Sequence, residues 1–108
     1  MTTVTRTTPP QAWPVHTYIE RLRTHRATFV ARYHIAELGV FGSYVRNEQR
    51  PESDLDVLVA FSETPSLFTL VALEDDLSAL LQIKVDLAVK TALRPRIATR
   101  ILSEVVML

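Results

Sequence analysis

The sequence contains no cysteine, one tryptophan and only two glycines. Without cysteine, the chain can form neither a disulfide nor a thiolate metal site, which fits a reducing cytoplasm. It also lacks any segment near the roughly 18 consecutive apolar residues that a membrane-spanning helix needs. Its 12 basic and 12 acidic residues balance, whereas a dedicated nucleic-acid binder usually carries a basic excess. These absences predict a cytoplasmic protein that neither enters a membrane nor binds nucleic acid directly.

Length and composition are typical of one globular domain. The chain has 108 residues, of which 47% are hydrophobic and 22% are charged, and chains of this size usually form a single domain. Residues 1–13 are rich in threonine and proline and have no apolar signal core. We therefore predict a flexible lead-in over 1–13 and a folded domain over 14–108.

The spacing of apolar residues predicts alternating helices and strands. Helices are predicted over 14–33 and 43–48, and from starting points near Ser66 and Pro95. Strands are predicted over 36–41, 55–61 and 83–89. This order indicates a small α/β domain, in which a mixed sheet of three or more strands is flanked by about four helices.

The same spacing predicts which helical residues are buried. For the helix that follows Ser66, the predicted buried set is Leu67, Leu70, Val71, Leu77, Leu80 and Leu81. For the last helix, it is Ile97, Ile101, Leu102 and Val105. The C-terminal residues 103–108 are predicted either to pack on the sheet or to contribute to an interface.

Two aspartates interrupt the second predicted strand, which is otherwise apolar. Because successive side chains in a strand point to opposite faces, Asp54 and Asp56 share one face and lie about 7 Å apart. The core face carries Leu55, Val57, Val59 and Phe61. Two carboxylates held this way repel each other unless a cation lies between them. The pair therefore predicts a site for Mg²⁺, which commonly takes one or two carboxylates together with substrate phosphates.

A third aspartate, Asp86, lies in the third predicted strand. If this strand neighbours the second one, the three aspartates converge on one surface. Three carboxylates on adjacent strands suit a two-metal site for phosphoryl transfer. An alternative is that Asp86 forms an ion pair with Lys84 or an arginine.

The dipeptide Gly42-Ser43 connects the first strand to the predicted helix over 43–48. Glycine lets backbone N–H groups approach a phosphate closely, and a helix that begins at Ser43 would direct further N–H groups at it. Taken alone, such a dipeptide is usually only a turn, and an Asp-x-Asp is usually a cap or a solvated edge. Their combination with Asp86 favours a phosphate-binding turn beside a metal site.

These motifs resemble a known family. The Gly-Ser at 42–43, followed after ten residues by the Asp-x-Asp at 54–56, resembles the signature of the DNA polymerase beta-like nucleotidyltransferase superfamily. The segment 84–87 resembles the strand that carries the third carboxylate of that family. The size of the chain is similar to that of the minimal nucleotidyltransferases (MNT) of prokaryotes.

The resemblance implies roles for six residues. As catalytic residues and ligands of two Mg²⁺ ions, it implies Asp54, Asp56 and Asp86, the last also as a possible base. As ligands of the β- and γ-phosphates of ATP, it implies Gly42 and Ser43. Arg46 either reaches a phosphate or pairs with a motif carboxylate. Where the family commonly has a glycine after this arginine, the sequence has Asn47.

The resemblance also implies a partner. Members of this branch accompany a HEPN-domain ribonuclease toxin, so we expect an antitoxin that transfers AMP from ATP to a tyrosine hydroxyl of that toxin, in a hetero-oligomer with it. One alternative is a non-catalytic antitoxin that neutralises the toxin by binding alone. Another is a nucleotidyltransferase that acts on a small molecule, against which the apparent lack of a second domain counts.

Overall fold

The computed structural model describes residues 13–108, which form three α-helices and a four-stranded sheet. The elements in chain order are α1 (Val15–Tyr33), β1 (Ile35–Phe41), β2 (Leu55–Phe61), α2 (Leu67–Leu81), β3 (Val85–Val89), α3 (Pro95–Glu104) and β4 (Val106–Met107). A short 3₁₀ helix, Lys90–Ala92, connects β3 to α3. Residues 1–12 lie outside the described part, so the lead-in over 1–13 and the domain over 14–108 remain predictions.

The sheet is mixed, as the sequence predicts. Its strand order is β3-β2-β1-β4. Strand β1 pairs antiparallel with both β2 and β4, whereas β2 and β3 are parallel and are connected through α2. A parallel pair needs a crossover of this kind, and here α2 provides it. The fold class predicted from the sequence is confirmed.

The local signals at helix ends are confirmed as well. Helix α2 begins after Ser66, whose hydroxyl accepts a hydrogen bond from the Thr69 N–H at 3.1 Å. Helix α3 begins at Pro95, where the missing proline N–H removes no helical hydrogen bond. The helix predicted over 43–48 is wrong, because residues 43–47 form successive turns.

The C-terminal residues form a strand that the sequence analysis did not predict. Val106 pairs with Val40 and Met107 with Gly39, and the Leu108 N–H donates to the Leu38 carbonyl at 2.9 Å. A Cβ atom at Gly39 would lie 2.8 Å from the Met107 sulfur. The strand can therefore approach β1 closely because residue 39 is a glycine.

The buried face of α2 differs from the predicted one. Its fully buried residues are Leu73, Leu77 and Leu81. Leu67 and Val71 are 73% and 52% exposed. Since two positions correspond to about 200° around a helix, Val71 points away from the face that carries Leu73. Leucine and valine occur on both sides of α2, and their spacing alone did not identify the buried side.

Helix α3 also buries less than predicted. Ile101 is 3% exposed, but Ile97 and Leu102 are 45% and 47% exposed. Ile101 and Leu58 are buried outside the main core cluster, and Leu58 lies on the sheet face that Asp56 shares. Both faces of the sheet therefore bury apolar side chains.

The end of α2 allows a simple test of backbone strain. Gln82 is exposed and has φ 54° and ψ 39°, in the left-handed region. Glycine adopts this conformation without the steric penalty of a Cβ atom, so Gln82→Gly is expected to increase the free energy of unfolding by about 1 kcal/mol. Urea denaturation measures the change. Gln82→Ala keeps the Cβ atom and should give no comparable gain, and an equal gain for both variants would contradict the strain argument.

No helix within residues 13–108 is long and apolar enough to cross a membrane.

Candidate active site

The three aspartates lie on neighbouring strands. In the parallel pair of β2 and β3, Asp56 is the register partner of Asp86. Asp54 directly precedes β2, whose first N–H, that of Leu55, donates to the Lys84 carbonyl at 2.9 Å. Residues 54, 56 and 86 therefore share one face of the sheet. The adjacency on which the convergence of the three aspartates depends is present. Lys84 pairs with Asp54 and not with Asp86, at 3.9 Å between Nζ and Oδ2.

The electrostatics of Asp56 reflect this crowding. Burial raises the pKa of Asp56 from 3.8 to about 6, and the carboxylates of Asp86 and Asp54 add to the effect. The guanidinium of Arg46 opposes it only in part. A carboxylate held in the field of two others attracts a cation, which would lower its pKa again.

The donor chemistry fits Mg²⁺. Carboxylate oxygens are the ligands this ion prefers, and water and substrate phosphates usually complete its shell. Within residues 13–108, no three acidic or histidine side chains are close enough to hold a metal ion by themselves. Nucleotide phosphates would therefore have to supply part of any ligand shell here.

Gly42 directly follows β1 and lies against the Asp56 carboxylate. Its φ is 84°, a conformation that favours glycine. A Cβ atom here would overlap Asp56 Oδ2 and would lie 2.9 Å from Cγ. The sequence predicts that the missing side chain at Gly42 lets a phosphate come close. In the structure, the Asp56 carboxylate lies in this space.

The segment after Gly42 is a tight turn. The N–H groups of Val45 and Arg46 both donate to the Gly42 carbonyl, at 3.0 and 3.1 Å. The Glu48 N–H then donates to the Ser43 carbonyl at 2.8 Å, a spacing wider than that of an α-helix. No helix dipole therefore develops at Ser43, and an anion here would depend on the turn and on nearby side chains.

Arg46 forms its ion pairs elsewhere than expected. Its guanidinium pairs with Glu104 at 3.0 Å and with Glu48 at 3.0 Å, and among the described residues it forms no ion pair with a motif carboxylate. Glu104 is not among the residues that the sequence motifs indicate. Its only local signal is a single acidic residue in an apolar C-terminal stretch, 58 positions after Arg46.

Asn47 occupies the position after Arg46 and has φ 60°. This left-handed conformation suits glycine and is tolerated by asparagine better than by most residues. Asn47→Ala is expected to lower the free energy of unfolding by about 1 kcal/mol, and Asn47→Gly to leave it unchanged or raise it slightly. Thermal and urea unfolding of the two variants provide the measurement. If alanine were tolerated as well as glycine, the conformation would not be strained.

Together, the mixed sheet, the parallel strands with facing aspartates and the turn after Gly42 define a small domain of the kind that transfers nucleotidyl groups. Residues 22–108 match the family model of the nucleotidyltransferase domain. The chain therefore belongs to the nucleotidyltransferase family and is an enzyme of that class.

Similar proteins place the chain within this family. The protein adenylyltransferase MntA of Thermococcus cleftensis is 47% identical over 85 residues, which cover 79% of this chain and 86% of that protein. A solved structure assigned as a minimal nucleotidyltransferase is 38% identical, with a TM-score of 0.69, and the match covers 83% of this chain and 95% of that chain.

A more distant likeness concerns the fold alone. A chain from the complex of a tri-AMPylated Shewanella oneidensis HEPN toxin with an MNT antitoxin has a TM-score of 0.62 at 15% identity. The match covers 83% of this chain and 70% of that chain. The architecture is thus shared with minimal nucleotidyltransferases of low sequence similarity.

Proposed function

We propose that this protein is an antitoxin that transfers AMP from ATP to a tyrosine hydroxyl of a HEPN-domain toxin in the cytoplasm. The observation that carries the proposal is the pairing of Asp56 with Asp86 on adjacent parallel strands, beside the Gly42 turn. The 47% identity to a protein adenylyltransferase supports the reaction class. The resemblance of the motifs to the MNT branch supports the toxin as acceptor.

Each site residue receives a role in this proposal. Asp54, Asp56 and Asp86 hold Mg²⁺, two ions in the full site, while Gly42, Ser43 and Arg46 form the surface that receives the β- and γ-phosphates. When bound, Mg²⁺ neutralises phosphate charge and supports the leaving diphosphate. The Gly42 N–H and the Arg46 guanidinium already donate hydrogen bonds to Glu104. In this proposal, the phosphates therefore lie on the turn next to these two hydrogen-bonded groups.

The reaction forms one bond and breaks one. The tyrosine oxygen attacks the α-phosphorus, the bond to the β-phosphate oxygen breaks, and diphosphate leaves. Asp86 is exposed, so an incoming hydroxyl can reach its carboxylate, which accepts the tyrosine proton in this proposal. Because the acceptor belongs to another protein, the reaction requires a complex with the toxin.

Intact-mass analysis tests this proposal. The protein is incubated with Mg²⁺, labelled ATP and a candidate HEPN-domain toxin from the same genome, and a mass gain of one or more AMP groups is expected on the toxin. The double variant Asp54→Asn/Asp56→Asn should give no gain. Replacing the modified tyrosine of the toxin by phenylalanine should remove the label.

The alternatives give different results in the same assay. If no AMP is transferred and the double variant neutralises the toxin as well as the wild type does, binding alone accounts for neutralisation. If label appears only on added small hydroxyl compounds such as aminoglycosides, the acceptor is a small molecule. Either result would overturn the proposal.

A further inference from the structure

Glu104 forms a bridge between the C-terminal part of the chain and the Gly42 turn. It is the last residue of α3 and comes two positions before β4. Its side chain is only 16% exposed. The Gly42 N–H donates to Oε2 at 2.7 Å, and Arg46 Nη1 donates to Oε1 and Oε2 at 3.1 and 3.0 Å. One carboxylate thus engages two groups of the turn, Gly42 at its first position and Arg46 four residues later.

The backbone on both sides of Glu104 is anchored. One turn earlier in α3, Ile101 is buried, and its carbonyl accepts the Val105 N–H at 2.9 Å. Immediately after, Val106 pairs with Val40 of β1. A buried helix residue on one side and a sheet pair on the other restrict the backbone of Glu104. The fold therefore places its side chain within reach of the turn.

The charge of Glu104 matches its partners. Burial alone would raise the pKa of Glu104, but the Gly42 N–H and the Arg46 guanidinium outweigh burial and leave it below the ordinary value. Charge-assisted hydrogen bonds of this kind are about twice as strong as neutral ones. The ionised carboxylate is therefore well suited to hold the turn.

The position of the Gly42 turn also affects the position of Asp56. Gly42 lies so close to Asp56 that even one additional carbon atom would overlap the carboxylate. A shift of the Gly42 peptide would therefore change the space available to Asp56, and without Glu104 the Arg46 guanidinium would keep only its ion pair with Glu48. The contacts form a continuous path from Glu104 through Gly42 to Asp56.

We propose that Glu104 is a positioning residue for nucleotide binding: by holding the Gly42 peptide and the Arg46 guanidinium, it keeps the turn in the shape that receives the triphosphate. The inference rests on the proposed function, because it assumes that a nucleotide binds at this turn. Glu104 acts through Gly42 and Arg46 and is not proposed to touch the reacting atoms.

Two variants of Glu104 test the role through the KM for ATP. Glu104→Ala removes both contacts, and KM is expected to rise about tenfold, the usual loss for a charge-assisted hydrogen bond, with a smaller change in kcat. Glu104→Gln keeps an oxygen for the Gly42 N–H but loses the ion pair, so a rise in KM of about threefold is expected.

The control, Glu20→Ala on the exposed side of α1, should leave KM unchanged. In an active enzyme, an unchanged KM for both variants would overturn the proposal. A lowered KM would also overturn it, because Glu104 would then compete with the phosphates.

A second measurement does not depend on transfer activity. Without nucleotide, the Gly42 amide of Glu104→Ala should exchange its hydrogen at least about tenfold faster than in the wild type, while the amides of Val57 and Val59 in β2 stay protected. Faster exchange throughout β2 would indicate unfolding, and Glu104→Gln then serves as the milder variant. If the wild type transfers no AMP, the proposed function fails. The exchange rate of the Gly42 amide still tests whether Glu104 fixes the turn. Unchanged Gly42 exchange in both variants would refute that hold.

Discussion

Asp56→Asn is expected to abolish AMP transfer and, at the same time, to make the folded protein more stable at neutral and alkaline pH. The amide keeps the shape of the carboxylate but loses its charge, so it cannot serve as an anionic ligand for Mg²⁺. Without this ligand, the metal stabilises the transition state by several kcal/mol less, so kcat should fall by about a thousandfold or more.

The gain in stability follows from the raised pKa of Asp56. Burial and the neighbouring carboxylates raise this pKa from 3.8 to about 6, so ionisation is less favourable in the folded state than in the unfolded state. The stability associated with the protonated form is fully present below about pH 4 and is lost as pH rises through about 6. At about pH 8, the wild type should be less stable than Asp56→Asn by about 2 kcal/mol, allowing for solvent screening.

Urea denaturation in the presence of a chelator, at about pH 5 and about pH 8, measures this difference. The difference between wild type and Asp56→Asn should grow from the lower to the higher pH. Asp75→Asn on the exposed surface of α2 is the matched control and should show no such trend. Added Mg²⁺ should stabilise the wild type more than the variant. If the stability difference between wild type and Asp56→Asn did not depend on pH, the pKa of Asp56 would not be raised in the folded protein.

Gly42→Ala is expected to reduce AMP transfer by about a hundredfold or more, because the active-site geometry is lost. The new methyl group would overlap Asp56 Oδ2, and φ at this residue is 84°. Both the overlap and the left-handed backbone disfavour alanine, and together they should lower the free energy of unfolding by about 1 to 3 kcal/mol. Transfer assays and urea denaturation measure the two effects.

The second glycine of the chain provides the control. A Cβ atom at Gly39 would lie 2.8 Å from both the Met107 sulfur and Val105 Cγ2, so Gly39→Ala also disturbs packing, but between β1 and β4. It should lower stability to a similar extent while reducing transfer less than about tenfold, because Asp56 is not displaced. If the two variants lost transfer equally, the loss would reflect general destabilisation and not the geometry at Asp56.

Much of the fold could be predicted because its signals are local. The limits of α1 and β2 and the start of α3 at Pro95 follow from apolar spacing and from backbone preferences of single residues. The location of the carboxylates could be predicted for the same reason, since an aspartate in an apolar strand is conspicuous within a few residues. The position of β3 beside β2 was a condition of the predicted site, and the βαβ order of the elements is consistent with it.

The errors arose where a residue depends on distant partners. The sequence predicts a helix over 43–48, yet the segment forms turns. Glu104 contacts them through the Gly42 N–H and the Arg46 guanidinium, and Asn47 within them has φ 60°. The side of α2 that faces the core was misjudged because leucine and valine occupy both sides. In each case, the deciding contact comes from another part of the chain.

Local patterns in the sequence were sufficient to predict the three α-helices, strands β1 to β3, the three aspartates and the Gly-Ser dipeptide, and together these indicate a nucleotidyltransferase. Other features depend on contacts that only the three-dimensional arrangement creates. Asp56 lies beside Asp86 and has a raised pKa, and it leaves no room for a side chain at Gly42. Glu104 contacts the turn from the end of α3. The physical reason is the range of the interactions. Backbone preference and side-chain periodicity act between near neighbours in sequence, whereas charge repulsion, close packing and ion pairs act between whichever residues the fold brings together.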